Sequence, residues 1–507
     1  MNLKWQTETM NEETSGWLNS SDSKDYFELL RFPTIGASKD NLRDCVQAAT
    51  WLKKWLGKIG ASAELIVPQV RARSEEVGAR SEEVRGLAED QSFATMVPVV
   101  YAEVKGDEGM PTVLLYGHYD VQPPDPLEAW QTPPFEPTVK DGRVYARGAQ
   151  DDKGQVFAFL CGLRDYLAQT PETPETSRTV RRLNLKIVLD GQEESGSVGL
   201  FRLLEDKSFR ARLAADVMLV CDTSAAAGLR PAIVAGLRGV NHFTVTLTAA
   251  NRDLHSGEYG GIAPNAAQGM AELMASLHNP DGSIAVAGFR DGIEPPSPEE
   301  LRVAEEGMRA SAKAFAEAAD PVEAMYESDI GTAPCGGQLG KTIVQRNAFE
   351  PTIEVNGIHS GYGGPGSKTV IPNVAIAKLS TRLVPGQSPV RSYEAIHRHL
   401  KDRCPKGMRV ELSELTGDAA GFRLPLASPL FRLAESVLKE MDGRGAVFQW
   451  DGASIPVVSA LRQASGAAPL MVGWGQAEDR IHSPNESFSI EQFRKAKDWA
   501  KRIMSAL

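Results

Sequence analysis

His118 and Asp120 stand two residues apart at the end of the stretch Thr112-Val-Leu-Leu-Tyr-Gly-His-Tyr-Asp120. Val113, Leu114 and Leu115 form the kind of apolar run that fills a sheet covered on both faces, and the run stops at Gly117. On an extended backbone, residues i and i+2 point to the same side. An imidazole and a carboxylate therefore leave the strand together, at the carboxyl end where open α/β sheets keep their ligands. The pair reads as a metal-binding His118 oriented by Asp120, because ligating histidines need a partner for their second ring nitrogen. The plainer alternative is a surface turn that happens to contain both residues.

Four further clusters lie just after strands or in glycine-rich turns. In Arg147-Gly-Ala-Gln-Asp-Asp-Lys-Gly154, Asp151 is placed to bridge two metals while Asp152 faces elsewhere; the alternative is a helix N-terminus that favours acidic residues. In Asp190-Gly-Gln-Glu-Glu-Ser-Gly-Ser197, paired glutamates can divide labour between metal ligand and general base; the alternative is a solvated acidic turn. Val220-Cys-Asp-Thr223 releases Asp222 from a buried strand, where an N-cap is the alternative. Asp479-Arg-Ile-His-Ser-Pro-Asn-Glu486 supplies His482, and a lone loop histidine usually has no such role. Each alternative is comfortable alone, but their joint occurrence is not. Oxygen and nitrogen donors without thiolate suit two divalent ions, zinc or manganese. Two ions sharing a bridging carboxylate make a hydrolytic site.

The elements that must position these groups alternate. Strand-like runs at 112–116, 183–189 and 217–221 are interleaved with helical segments at 154–167 and 200–204, which predicts an α/β domain with a parallel, doubly wound sheet. Val99–Val104 and Thr112–Tyr116 read as neighbouring strands around a turn. After Gly239 the pattern becomes α+β, with clean alternation over His242–Leu247, further strands near 353–355 and 374–384, and helices near 263–277, 298–319 and 393–400. From 431 onward the α/β style returns. The expected division is a catalytic domain of residues 1–237 and 406–507 with an inserted lid and dimerisation domain at 238–405. Arg-Ser-Glu-Glu-Val occurs twice, at 73–77 and 80–84, and reads as an exposed charged insertion.

At 507 residues the chain is too long for one ordinary core. Hydrophobic residues at 42% and charged ones at 24% are those of a soluble globular protein, and a net charge of −11 argues against a nucleic-acid partner. Five scattered cysteines, an odd number without a CxxC pair, do not suggest a disulfide framework. The first 20 residues carry no apolar signal core and no run approaches a membrane span, so a cytoplasmic protein is expected.

Taken in order, His118-Tyr-Asp120, Gly148-Ala-Gln-Asp-Asp-Lys-Gly154, Glu193-Glu-Ser-Gly196, Asp222 and His482 resemble the metal signature of the zinc aminopeptidase/carboxypeptidase/aminoacylase clan. The carnosinase and cytosolic non-specific dipeptidase branch is the most similar, and Gly236-Leu-Arg-Gly239, Asp253-Leu-His-Ser-Gly257, Lys368-Thr-Val-Ile-Pro372 and Gly452-Ala-Ser-Ile-Pro456 extend the resemblance. It implies a phosphorylase/hydrolase-like catalytic domain with a ferredoxin-like insert, and hydrolysis of dipeptides or small peptides with a free carboxylate by a metal-bridged hydroxide. A hydrolase of N-acyl amino acids or N-carbamoyl amides with the same metals is the other reading. The resemblance further implies that Asp151 bridges the ions, that His118 and Asp222 complete one site, and that Glu194 and His482 complete the other. Glu193 is then the general base, Asp120 supports His118, and the Asp151–Asp152 peptide is cis. His255 reaches the partner's site in a homodimer, Arg382 clamps the substrate carboxylate, and Thr369 and Ser454 contact substrate. Gln150 departs from the small hydroxyl residue usual before the aspartate pair. His242, His278, His359, His397 and His399 match no ligand position.

Overall fold

The computed structural model describes residues 12–68, 97–169 and 182–507, and the 73–84 repeat lies outside them. The described chain divides into two compact units, one running to Val234 and including Ala427–Val447 and Ala460–Leu507, the other comprising Ala235–Leu426 and Phe448–Ser459.

The first unit is built on a mixed sheet. Its strands lie in the order Ser62–Ile66, Val99–Val104, Asn184–Asp190, Thr112–His118, Val217–Val220 and Ala468–Met471. The last four are mutually parallel, and the first two pair antiparallel. Val99–Val104 and Thr112–His118 are not neighbours, contrary to what their sequence suggests. Asn184–Asp190 runs between them, antiparallel to the first and parallel to the second. Its Leu185, Ile187, Val188 and Leu189 are all buried, which an edge position would not allow. Helix Lys153–Leu167 packs against Thr112–His118 and against the C-terminal helix Ile490–Ala506. Helix Leu42–Lys58 buries Cys45, Ala48, Ala49, Leu52, Trp55 and Leu56, a stripe at spacings of three and four. A fully buried leucine in such a stripe stabilises by about 1.5–3 kcal/mol.

In the second unit, strands Thr352–Ser360, Val374–Leu383, Gly239–Thr248 and Arg409–Ala419 form an antiparallel sheet in that order. Helices Ala266–Ala275 and Pro389–Asp402 contact it. Phe243, Val245, Leu247, Leu379 and Val410 from the strands share one apolar core with Met270, Leu273, Ile396 and Leu400 from the helices. Chain order and sheet order together give the strand–helix–strand–strand–helix–strand topology of a ferredoxin-like fold. No helix among the described residues is long and apolar enough to cross a membrane.

Candidate metal centre

Parallel pairing aligns the strand ends of the first unit. His118 lies opposite Asp190 in register, so the turn after Asp190 starts beside His118. That turn is a short 3-10 helix, Glu193–Ser195, closed by Gly196 in the left-handed conformation at φ 91°. Asp222 leaves Val217–Val220 on the other side of Thr112–His118. The order of the strands therefore places a histidine, a glutamate pair and an aspartate at one edge.

Asp120 binds this edge together. His118 Nδ1 lies 3.3 Å from Asp120 Oδ1, while Glu193 N–H donates to Oδ1 at 3.0 Å and Glu194 N–H to Oδ2 at 3.1 Å. One buried carboxylate thus sets the histidine ring and the glutamate turn. Asp152 sits at the N-terminal boundary of Lys153–Leu167, but its side chain makes no cap bond; its Oδ2 accepts from His118 N–H at 3.1 Å. Gly117 makes room for this contact, since a Cβ there would stand 2.5 Å from Val156 Cγ2 and 2.9 Å from that Asp152 oxygen. The Asp151–Asp152 peptide is cis.

Asp151 has two faces. Its Oδ1 is 3.1 Å from His118 Nε2 and its Oδ2 is 2.9 Å from His482 Nε2. Asp222 Oδ2 lies 3.8 Å from His118 Nε2, and Glu194 Oε2 lies 3.3 Å from His482 Nε2. Two donor groups result, His118–Asp151–Asp222 and Asp151–Glu194–His482, sharing Asp151. All donors are imidazole nitrogen or carboxylate oxygen, the set that zinc and manganese accept.

The charge balance also favours cations. Six carboxylates, Asp120, Asp151, Asp152, Glu193, Glu194 and Asp222, crowd around two imidazoles. Among the described residues no lysine or arginine forms an ion pair with any of them. Burial, aided by Asp222, Asp120 and Glu194, pushes Glu193 up to about 8, and burial with Asp151 pushes Asp222 up to about 7. Hydrogen bonds to Asp151 and Glu194 raise His482 to about 10. Burial works to lower His118, but its bonds to Asp120 and Asp151 outweigh that and push it well above the usual range. A divalent cation in each group would reverse these shifts, since it favours every ionised carboxylate and the neutral imidazoles.

The chain is similar to known proteins in sequence and in fold. Residues 114–297 fit the sequence profile of Peptidase family M20/M25/M40, and residues 236–408 fit that of a peptidase dimerisation domain. The chain belongs to the M20 peptidase family. It is 27% identical over 394 residues to the Beta-Ala-His dipeptidase of Homo sapiens, covering 77% of this chain and 74% of that one. It is 28% identical over 413 residues to the Cys-Gly metallodipeptidase dug1 of Schizosaccharomyces pombe, covering 80% and 82%. An M20 family metallo-carboxypeptidase from Sulfolobus solfataricus superposes with a TM-score of 0.75 at 25% identity, covering 96% and 99% of the two chains.

The remaining candidate residues of this M20 peptidase lie in the second unit. His255 is exposed; its Nδ1 accepts from Gly257 N–H at 3.0 Å, and its Nε2 is 3.4 Å from Thr369 Oγ1. The short pairing of Leu254–His255 with Val370–Ile371 brings these two candidates together. Arg382 lies on Val374–Leu383, opposite Thr352 and Val240. No carboxylate among the described residues pairs with its guanidinium, and burial lowers its pKa, with Asp451 acting in the opposite direction. Ser454 donates to the Gly239 carbonyl at 3.1 Å. One side chain beside the candidate metal centre was not expected from the sequence. Gln122 Nε2 donates to Glu194 Oε2 at 2.8 Å. It continues the i+2 series of His118 and Asp120, and that spacing was the available signal.

Proposed function

We propose that this M20 peptidase hydrolyses dipeptides or small peptides with a free carboxylate, using two divalent cations, zinc by preference. His118, Asp151 and Asp222 would hold one cation and Asp151, Glu194 and His482 the other. The observation that carries this reading is the pair of Asp151 oxygens, each facing a different imidazole. The dipeptidase names of the human and yeast relatives support the substrate class.

When bound, the cations supply Lewis acidity and lower the pKa of water. Glu193, next to the ligand Glu194 and bonding neither imidazole, takes the proton from the attacking water and returns it to the leaving amine. Asp120 keeps His118 Nε2 directed at the cation site by occupying Nδ1. Arg382, whose guanidinium no carboxylate among the described residues pairs with, binds the substrate carboxylate bidentately, with Thr369 and Ser454 as further polar contacts. The inserted domain, whose four-stranded sheet runs on to Arg409–Ala419 and so past the 405 boundary expected from the sequence, acts as lid and pairs two copies, and His255 polarises the scissile carbonyl in the partner's site. The dimerisation-domain match supports the homodimer. Five free cysteines, three of them buried, support a reducing, cytoplasmic setting.

The test is metal analysis together with turnover on a panel of dipeptides and N-acyl amino acids. Two cations per chain and preferential dipeptide cleavage are expected. Preference for N-acyl amino acids would move the assignment to an acylamino-acid hydrolase, and absence of metal-dependent hydrolysis of either class would refute it.

A further inference from the structure

Glu486 lies four residues beyond His482 and is 1% exposed. Its carboxylate accepts from four donors on one short segment. Oε2 receives Arg147 Nη1 at 2.8 Å and Gly148 N–H at 2.9 Å; Oε1 receives Gln150 N–H at 2.9 Å and Asp151 N–H at 3.1 Å. The Glu486 carbonyl accepts from Ala146 N–H at 3.1 Å as well. Arg147 is itself 1% exposed and reaches the Pro123 carbonyl at 3.2 Å. A side chain from the loop of one ligand therefore organises the turn of another.

The other end of the His482 loop is held in the same way. Asp479, fully buried, pairs with Arg143, whose Nε also donates to Ser487 Oγ at 2.9 Å. Two arginine–carboxylate pairs, Arg143–Asp479 and Arg147–Glu486, thus bracket His482. Between them Arg480, His482 and Asn485 adopt left-handed backbone at φ 55°, 59° and 66°. Such conformations persist where the surroundings over-determine them.

We infer that Glu486 is a positioning residue for the metal centre. By gathering the N–H groups of Gly148, Gln150 and Asp151, it fixes the orientation in which the two Asp151 oxygens face His118 and His482. It couples that orientation to the loop carrying His482. The inference rests on the two-cation reading and adds the device that sets the relation between the two ligand groups.

The test is Glu486→Gln in the full chain, which keeps the shape but turns an amide nitrogen toward donors that need an acceptor. In the metal-free protein, amide hydrogen exchange at Gly148, Gln150 and Asp151 is expected to speed up. In the cobalt-loaded protein, the d–d absorption is expected to change. On a dipeptide, kcat is expected to fall by about 10–100-fold with KM unchanged. A lower melting temperature with exchange, cobalt spectrum and kcat all unchanged would mean that Glu486 only supports the fold, which overturns the inference. If Glu486→Gln does not fold, Arg147→Gln decides: it leaves three backbone donors on the carboxylate and should shift the spectrum in the same sense by less, and an unshifted spectrum refutes the proposal. Exchange and spectrum are read without substrate, so a protein that cleaves no dipeptide would lose its proposed function while the reading of Glu486 is still decided.

Discussion

The two candidate ligand groups that share Asp151 are built differently. His118 and Asp222 come from adjacent parallel strands, one at a strand end and the other two residues beyond. His118 is fully buried and bonded at its backbone and at both ring nitrogens. Glu194 and His482 come from turns, and the His482 side chain is 52% exposed on a left-handed backbone. One half of the centre is thus set by the sheet itself, and the other depends on local bonds such as Gln122 to Glu194. Rigid strand ends hold a ligand in the position the fold dictates, whereas turns need braces to hold one and can release it.

The largest effect should come where the two halves meet. Asp151→Ala removes a ligand from both groups, and metal analysis should find both sites emptied, with hydrolysis lost. Retention of one full equivalent of metal would show that the halves do not depend on Asp151 in common. Next comes Glu193→Gln, which touches neither group: kcat should drop by about 10²–10⁴-fold while the metal content stays unchanged. Full activity in that variant would remove Glu193 as the base. The histidines then separate the halves. His118→Ala leaves buried carboxylates without their partner and should destabilise the metal-free protein by about 1–3 kcal/mol in denaturant unfolding. His482→Ala, at a half-exposed position where solvent screens the lost pairs with Asp151 and Glu194, should destabilise it less than His118→Ala does while still vacating its cation site. Equal destabilisation by the two variants would contradict the contrast between strand and loop.

The same contrast decides what could be read in advance. At strand ends, local pattern and candidate site coincide. The apolar run 113–115 marks the strand, Gly117 marks its close approach to the next helix, and the i+2 spacing carries His118 and Asp120 to one side. Asp190 ends a strand with an apolar run and Asp222 follows another, so the turns beyond them could be picked out as candidate ligand turns. His482 offers no such pattern: nothing local distinguishes it from His278 or His359, and only the resemblance singled it out. Glu486 was hidden for another reason, because its donors come from residues more than 330 positions earlier and no spacing encodes them. The ferredoxin-like topology was accessible from alternation and resemblance, but the strand order of the first unit was not. Val99–Val104 and Thr112–His118 are consecutive in the chain, yet the strand between them arrives some 70 residues later, once Leu185, Ile187, Val188 and Leu189 find a central position buried on both faces.

The smallest expected effect is kinetic, and it probes the comparison most finely. A chelator must reach a cation and compete with its ligands one at a time. At the His482–Glu194 group, one ligand is exposed and both lie on turns, so local opening suffices. At the His118–Asp222 group, the imidazole cannot swing away without breaking its bond to Asp120 and disturbing the packed strand end. Cobalt-loaded protein mixed with excess chelator should therefore lose absorbance in two phases, the fast one belonging to the His482 side. Gln122→Ala should speed the fast phase alone, because Gln122 bonds Glu194 and neither His118 nor Asp222. A single phase for both ions, or a Gln122 substitution that speeds both phases equally, would mean that release is governed by a motion common to the whole site rather than by the separate anchoring of its halves.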